Sequence, residues 1–248
     1  MQTLMIAVAG KGGCGKSTVA ALSACILTEL GISPLLAVDA DPAGMLGAAL
    51  GMEVCGTVAD LREELRDAEA GGEEGKARAL EAGLARLVSE GDKIDLLTMG
   101  RPTGRGCYCF INHALAEALG RLAGQYRTVI VDNEAGMEHL ARGNLPRVDL
   151  LLLVAEPSPA AITVAIRALS AVQEAGTSVS SAGLILNRME DGQSLPQSIL
   201  PAELPIWARL PQDAAITQAW ANGEPLTQLV KISYVGRILA DFWRSKIS

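Results

Sequence analysis

The chain has 248 residues, 49% of them hydrophobic and 20% charged, with 21 basic against 28 acidic side chains, a net charge of −7 and a pI near 5.0. That length supports one large domain with a full core, and the balance excludes disordered and fibrous classes. The acidic excess argues against non-specific nucleic-acid binding.

Aromatic residues make up 3% of the chain, so the core must come from Ala, Leu, Val and Ile, as in a parallel sheet covered by helices. No run approaches the roughly 18 apolar residues of a membrane span, and Met1-Gln2-Thr3 leads into an apolar run without a basic leader. A cytoplasmic protein with no membrane partner is expected. The 5 cysteines, an odd number, point to metal binding or packing rather than to a disulfide framework.

In chain order, the pattern predicts a strand over 3–9, a helix over 16–30 ended by Gly31, and a strand over 34–39 that delivers Asp39-Ala40-Asp41-Pro42. Residues 57–90 read as helical and charged, broken at Gly71-Gly72, and 94–98 read as a strand. A Gly/Pro/Arg loop over 99–112 precedes a helix over 113–123 and strands over 128–132 and 149–155. A helix over 159–175, strands over 182–187 and 206–210, and helices over 213–221 and 234–246 complete the chain. Alternating strands and helices predict an α/β fold: a single P-loop NTPase domain over 1–248, its mostly parallel sheet covered by helices on both faces.

Residues 10–18 read Gly-Lys-Gly-Gly-Cys-Gly-Lys-Ser-Thr after the apolar run 4–9, which is G-x-x-x-x-G-K-[ST] between a strand and a helix. Backbone N–H groups of Gly12, Gly13, Cys14 and Gly15, with Thr18 beyond them, are expected to cradle phosphates at the positive end of the following helix. Lys16 is expected to reach the β- and γ-phosphates, and the Ser17 hydroxyl to bind Mg²⁺. Val129-Ile130-Val131-Asp132 is an apolar strand ending in a carboxylate suited to hold Mg²⁺ through its water shell. Asp39 supports that metal or its loop. Gly136, four residues past Asp132, can set its N–H against a γ-phosphate, a contact present with ATP and lost with ADP. Asn187 ends the 182–187 strand with an amide able to donate to and accept from adenine. With no N/T-K-x-D guanine motif in the chain, ATP/ADP is expected over GTP.

Cys107-Tyr108-Cys109 places two thiols one residue apart in a Gly/Pro loop. One pair supplies two ligands and a closed tetrahedral site needs four, so a two-fold homodimer would complete it. Thiolates select zinc, nickel, copper(I) or an Fe–S cluster. His113 is either an extra ligand or a helix-start histidine, and Cys14, Cys25 and Cys55 are expected to be packing residues.

The second lysine of the loop, Lys11, makes this the deviant K-G-G-x-G-K-[ST] form. Here the chain resembles the family of the nitrogenase iron protein, MinD-type and ParA-type ATPases. The resemblance implies that Lys11 crosses a homodimer interface to the partner's nucleotide, as an arginine finger does. It also implies that Asp41 orients the attacking water, that Asn187 reads the base, and that Pro211, Gln212 and Asp213 form a loop packed on it; a helix N-cap is the other reading of 211–213.

Cys107-x-Cys109, the run Asp132-x-x-Ala135-Gly136-x-Glu138-His139-Leu140-x-Arg142-Gly143 and Glu156-Pro157 occur in order. By these the chain resembles CooC-type ATPases, which mature nickel carbon monoxide dehydrogenase, and their acetyl-CoA synthase relatives. That resemblance implies an ATP-dependent metallochaperone inserting nickel into such a client. Cys14 stands where that family usually carries a branched aliphatic residue. Two alternatives keep the fold: an Fe–S redox ATPase like the nitrogenase iron protein, and a spatial regulator of the MinD or ParA type. The last would use Val235, Ile238, Leu239, Phe242 and Trp243 as a membrane-surface stripe, residues that core packing explains equally.

Overall fold

The apolar runs of the sequence become the interior of one sheet. The computed structural model describes residues 2–67, 72–101, 119–133, 147–174, 176–190, 192–193, 195 and 204–247. Its strands are β1 (Leu4–Gly10), β2 (Leu35–Ala40), β3 (Ile94–Thr98), β4 (Thr128–Asn133), β5 (Arg147–Ala155), β6 (Ser178–Met189) and β7 (Ile206–Pro211), in the order β3-β2-β4-β1-β5-β6-β7. Each neighbouring pair runs parallel. β2 and β4 are buried along their whole length, which is why they read as unbroken apolar runs rather than as alternating ones.

The helices are α1 (Lys16–Glu29), α2 (Met45–Leu50), α3 (Val58–Asp67), α4 (Gly72–Leu87), α5 (Pro159–Glu174), α6 (Ala214–Asn222), α7 (Leu229–Ile232) and α8 (Tyr234–Ile247). Side chains alternate across the sheet. Ile6 and Val8 of β1 therefore face a cluster with Leu22, Ile26 and Leu27 of α1 and Leu239, Phe242 and Trp243 of α8. Ala7 and Ala9 face the other way, packing with Ile162, Ala165 and Val172 of α5. Leu61 and Leu65 of α3, with Leu80 and Leu84 of α4, cover Leu36, Leu97 and Val129 on the β2–β3–β4 side. Helices thus cover both faces, as expected. Nearly every residue of α1 is buried, so this helix is the centre of its layer.

The apolar residues of α8 belong to that core. Val235, Leu239, Phe242 and Trp243 are buried, and the Phe242 ring stacks on Trp207 at 5.8 Å. Among the described residues no helix is long and apolar enough to cross a membrane.

Several elements depart from the sequence expectation. α2 and α7 were not predicted, because four to six residues are too few to display a helical period. β6 extends beyond 182–187 at both ends: Ser178 and Val179 pair with Arg147 and Val148 of a likewise longer β5, an extension that polar residues conceal. Of the expected helix over 113–123, residues 119–123 are helical and the remainder lies outside the described residues. Cys14 and Cys25 are buried, whereas Cys55 is exposed and does not pack, which corrects its expected role.

Candidate nucleotide-binding site

The site stands at the carboxyl ends of β1, β2 and β4, where parallel strands present their side chains and following loops outward. β1 runs into the loop 10–15 and then into α1. Two glycines shape that loop. A Cβ on Gly10 would run into the Val154 carbonyl and the Cys14 sulfur, and its φ of 155° is outside the range of ordinary side chains. Gly15, at φ 98°, is the N-cap of α1, and a Cβ there would meet the Asn187 amide. With glycine as the cap, no side chain occupies the first N–H groups of α1, which are left to bind an anion.

Cys14 locks the loop in place. Its thiol donates to the Val154 carbonyl at 3.2 Å, and its carbonyl accepts from Asn187 Nδ2 at 2.8 Å. Burial pushes the Cys14 thiol up from its ordinary value, so it is an inert anchor and not a nucleophile. The Asn187 bond was not legible in the sequence, because it joins side chain and loop backbone across 173 positions. It commits one of the two amide hydrogens of Asn187 to the loop and leaves the other hydrogen and Oδ1 for recognition.

β2 and β4 bring two carboxylates together. Asp39 and Asp132 are register partners on these adjacent strands, and each is fully buried. Asp39 organises the following loop: Oδ2 accepts from Leu46 N at 2.8 Å and Oδ1 from Asp41 N at 3.3 Å. Burial raises its pKa, and those N–H groups oppose the rise. Asp132 has no such support; among the described residues neither of its oxygens has a hydrogen-bond partner. Burial pushes its pKa up to about 7; Ser17, close enough to favour the ionised form without reaching hydrogen-bond geometry, and Lys16 pull it down, while Asp39 and Asp41 push it further up. An orphaned buried carboxylate beside a second carboxylate and a serine hydroxyl is a hard-oxygen donor set, and it fits Mg²⁺.

Lys16 is 4% exposed and pairs with Asp41 Oδ2 at 3.6 Å, while Asp41 Oδ1 accepts from Ala43 N at 2.9 Å. Above them opens a cavity of about 400 Å³ lined by Gly13, Gly15, Lys16, Ser17, Thr18, Asp41, Asn187, Pro211, Gln212 and Asp213. Ten residues singled out from four separated stretches of sequence therefore line one space. The wall also holds Ala43, Met45, Arg188, Ile216, Thr217, Trp220 and Val235, which no motif marks. Asp213 has a structural task as well. It is the N-cap of α6, accepting from Ala215 N at 3.0 Å, and its other oxygen accepts from Tyr234 N at 2.8 Å and Val235 N at 3.3 Å. Gly12 and Lys11 are exposed and do not line the cavity, and among the described residues Lys11 makes no ion pair. Gly136, Cys107, Cys109 and His113 lie outside the described residues.

Residues 5–226 match the family model CbiA, the CobQ/CobB/MinD/ParA nucleotide binding domain. The uncharacterized ATP-binding protein MJ0685 of Methanocaldococcus jannaschii is 34% identical over 233 residues, 91% of each chain. The carbon monoxide dehydrogenase accessory protein CooC of Rhodospirillum rubrum is 32% identical over 176 residues, covering 65% of this chain and 66% of CooC. The fold also matches the septum site-determining protein MinD of Pyrococcus horikoshii, solved with Mg-ADP, at a TM-score of 0.69 and 22% identity over 99% of this chain and 96% of that one. A phosphate loop, a buried acidic pair and a cavity at the carboxyl edge of a seven-stranded parallel sheet accord with these matches, and the chain belongs to the CobQ/CobB/MinD/ParA nucleotide-binding family.

Proposed function

We propose that residues 1–248 form one Mg²⁺-dependent ATPase domain that acts as a nucleotide-dependent homodimer and delivers nickel to carbon monoxide dehydrogenase or an acetyl-CoA synthase relative. What supports the ATPase reading above all is the Lys16–Asp41 pair, which lines the cavity, together with the buried Asp39–Asp132 register pair. An entering triphosphate competes for the Lys16 ammonium, and Asp41 then becomes free to accept a hydrogen bond from a water molecule and aim it at the γ-phosphorus. Attack by that water breaks the bond to the β,γ-bridging oxygen; ADP keeps the electron pair, and the water proton leaves with the phosphate. Ser17 and Asp132, with Asp39 supporting them, would hold Mg²⁺, which when bound would neutralise phosphate charge. Lys11 serves the partner's triphosphate, and Gly136 reports whether the γ-phosphate is present.

Support for the client is the Cys107-x-Cys109 pair together with the similarity to the Rhodospirillum rubrum accessory protein. In this reading two chains supply four sulfurs to one nickel or zinc ion, and opening the dimer removes half of the ligands. Metal analysis of anaerobically prepared protein tests it. The expected result is one metal ion per two chains with an ATP analogue, lost in the Cys107→Ser/Cys109→Ser double variant together with activation of the client. A coloured protein with iron and sulfide would replace nickel delivery by redox chemistry, and unchanged metal content in the double variant would remove the site altogether.

A further inference from the structure

The cavity wall holds one tryptophan, Trp220, at the end of α6. Its indole N–H donates to Thr18 Oγ1 at 3.0 Å, across 202 positions of sequence. Thr18 is the residue after Ser17 in the phosphate loop and is 9% exposed, with the cavity as its open side. A threonine hydroxyl has one hydrogen to give and two lone pairs to fill. An indole N–H is a donor only, so the Trp220 contact always occupies a lone pair of Thr18 and never takes its hydrogen. The hydrogen is thereby left for another acceptor. Anionic phosphate oxygens are acceptors only, and a hydroxyl presented the wrong way round would repel them.

We propose that Trp220 is a positioning residue for the nucleotide: by donating to Thr18 it fixes the polarity of that hydroxyl, so that Thr18 meets the phosphate chain as a hydrogen-bond donor. The inference rests on the nucleotide-binding reading of the cavity and adds to it a residue from α6, an element far from the phosphate loop in sequence. Trp220 is half-buried and packs against the core cluster that contains Val235, so its ring is already held where the N–H must point. The position is therefore tied to the loop by a bond that any binding event in the cavity must either preserve or break.

A double-mutant cycle tests the inference, with ADP and Mg²⁺ titrated by calorimetry into wild type, Trp220→Phe, Thr18→Val and the double variant. Trp220→Phe keeps an aromatic ring and removes the donor. Loss of one hydrogen bond is expected to weaken ADP binding about five- to tenfold in each single variant. The double variant is expected to bind no more weakly than Thr18→Val, because Trp220 acts through Thr18 alone. Far-UV circular dichroism and thermal melting of each variant guard against a general loss of folding, and a variant that melts as wild type does but binds ADP more weakly supports the proposal. Unchanged ADP affinity in Trp220→Phe, or additive losses in the double variant, would overturn the proposal, since a role in packing alone gives additivity. Failure of the wild-type protein to bind ADP would instead overturn the nucleotide reading, a separate and earlier result.

Discussion

Asp132 is the residue whose energetics depend most on what binds beside it. A carboxylate held near pH 7 in the folded chain and near 3.8 when unfolded binds more protons folded than unfolded between those values. Stability then falls as pH rises through that window, the reverse of the usual salt-bridged aspartate. The cost at pH 8 without metal is at most about 4 kcal/mol, from roughly three units at 1.36 kcal/mol each. Asp132→Asn removes the buried charge and keeps the shape. Urea unfolding in EDTA is expected to show the variant more stable than wild type at pH 8 and little different at pH 4, while the variant loses ATP hydrolysis. Equal stability of the two proteins at pH 8 would mean that the carboxylate is solvated or paired, contrary to its burial. Asp39, buried beside it, is raised in the same direction, but two backbone N–H groups oppose the rise.

At the scale of elements, the cavity is held by contacts that join distant ends. Asp213 ties the N-terminus of α6 to that of α8 through two oxygens and three N–H groups. Asp213→Ala removes both caps, and at about 1 kcal/mol for each helix end the expected loss is about 2 kcal/mol, or a fall in Tm of about 5 °C. Asp213→Asn keeps one acceptor and is expected to lie between the two. Calorimetric melting of the three proteins checks the order; an alanine variant as stable as wild type would show that water replaces the carboxylate without cost. The same pattern explains what sequence could and could not disclose. Strands β1, β2 and β4 and the loop between β1 and α1 were legible because their signal is local: apolar runs, glycines at fixed offsets and a terminal aspartate. α2 was not, since its start is held by Asp39, seven residues back on a strand, and not by a cap of its own. The tasks of Asn187 and Trp220 were hidden for the same reason. Asn187 could be read from its strand end as a candidate for the base but not as a tie to the phosphate loop, and Trp220 showed as one more apolar residue of a helix; their partners in that loop lie 173 and 202 positions away. The expected role of Asp213 was half visible: the N-cap could be read from Asp before a helix, but the bond to α8 depends on the packing of the two helices.

For the whole molecule, the arrangement of charge around the phosphate loop bears on oligomeric state. One subunit presents a buried lysine, Lys16, to the cavity and carries an exposed lysine, Lys11, on the same loop. The buried cation has a carboxylate to answer it, Asp41; the exposed one has no ion-pair partner among the described residues. An exposed cation beside an anion site is open to a second triphosphate, which is what the proposed homodimer requires of Lys11. Light scattering with a non-hydrolysable ATP analogue and Mg²⁺ is expected to give twice the 25.9 kDa of one chain for wild type and 25.9 kDa for Lys11→Ala. ATP turnover of Lys11→Ala is expected to fall by about 10³-fold or more, the scale of a cation that stabilises the transferred phosphoryl group, with ADP affinity unchanged. A mixing experiment separates action on the partner from action within one chain. Lys11→Ala keeps Asp41, and Asp41→Ala keeps Lys11, so a mixed dimer contains one complete site if the lysine crosses over. Mixing the two inactive variants in equal amounts with random pairing is expected to restore about a quarter of the turnover of wild type at high concentration, since half of the dimers are mixed and each of those has one complete site of two. No recovery in a mixture that light scattering shows to be dimeric would place Lys11 in its own subunit's site and remove the argument for a shared interface.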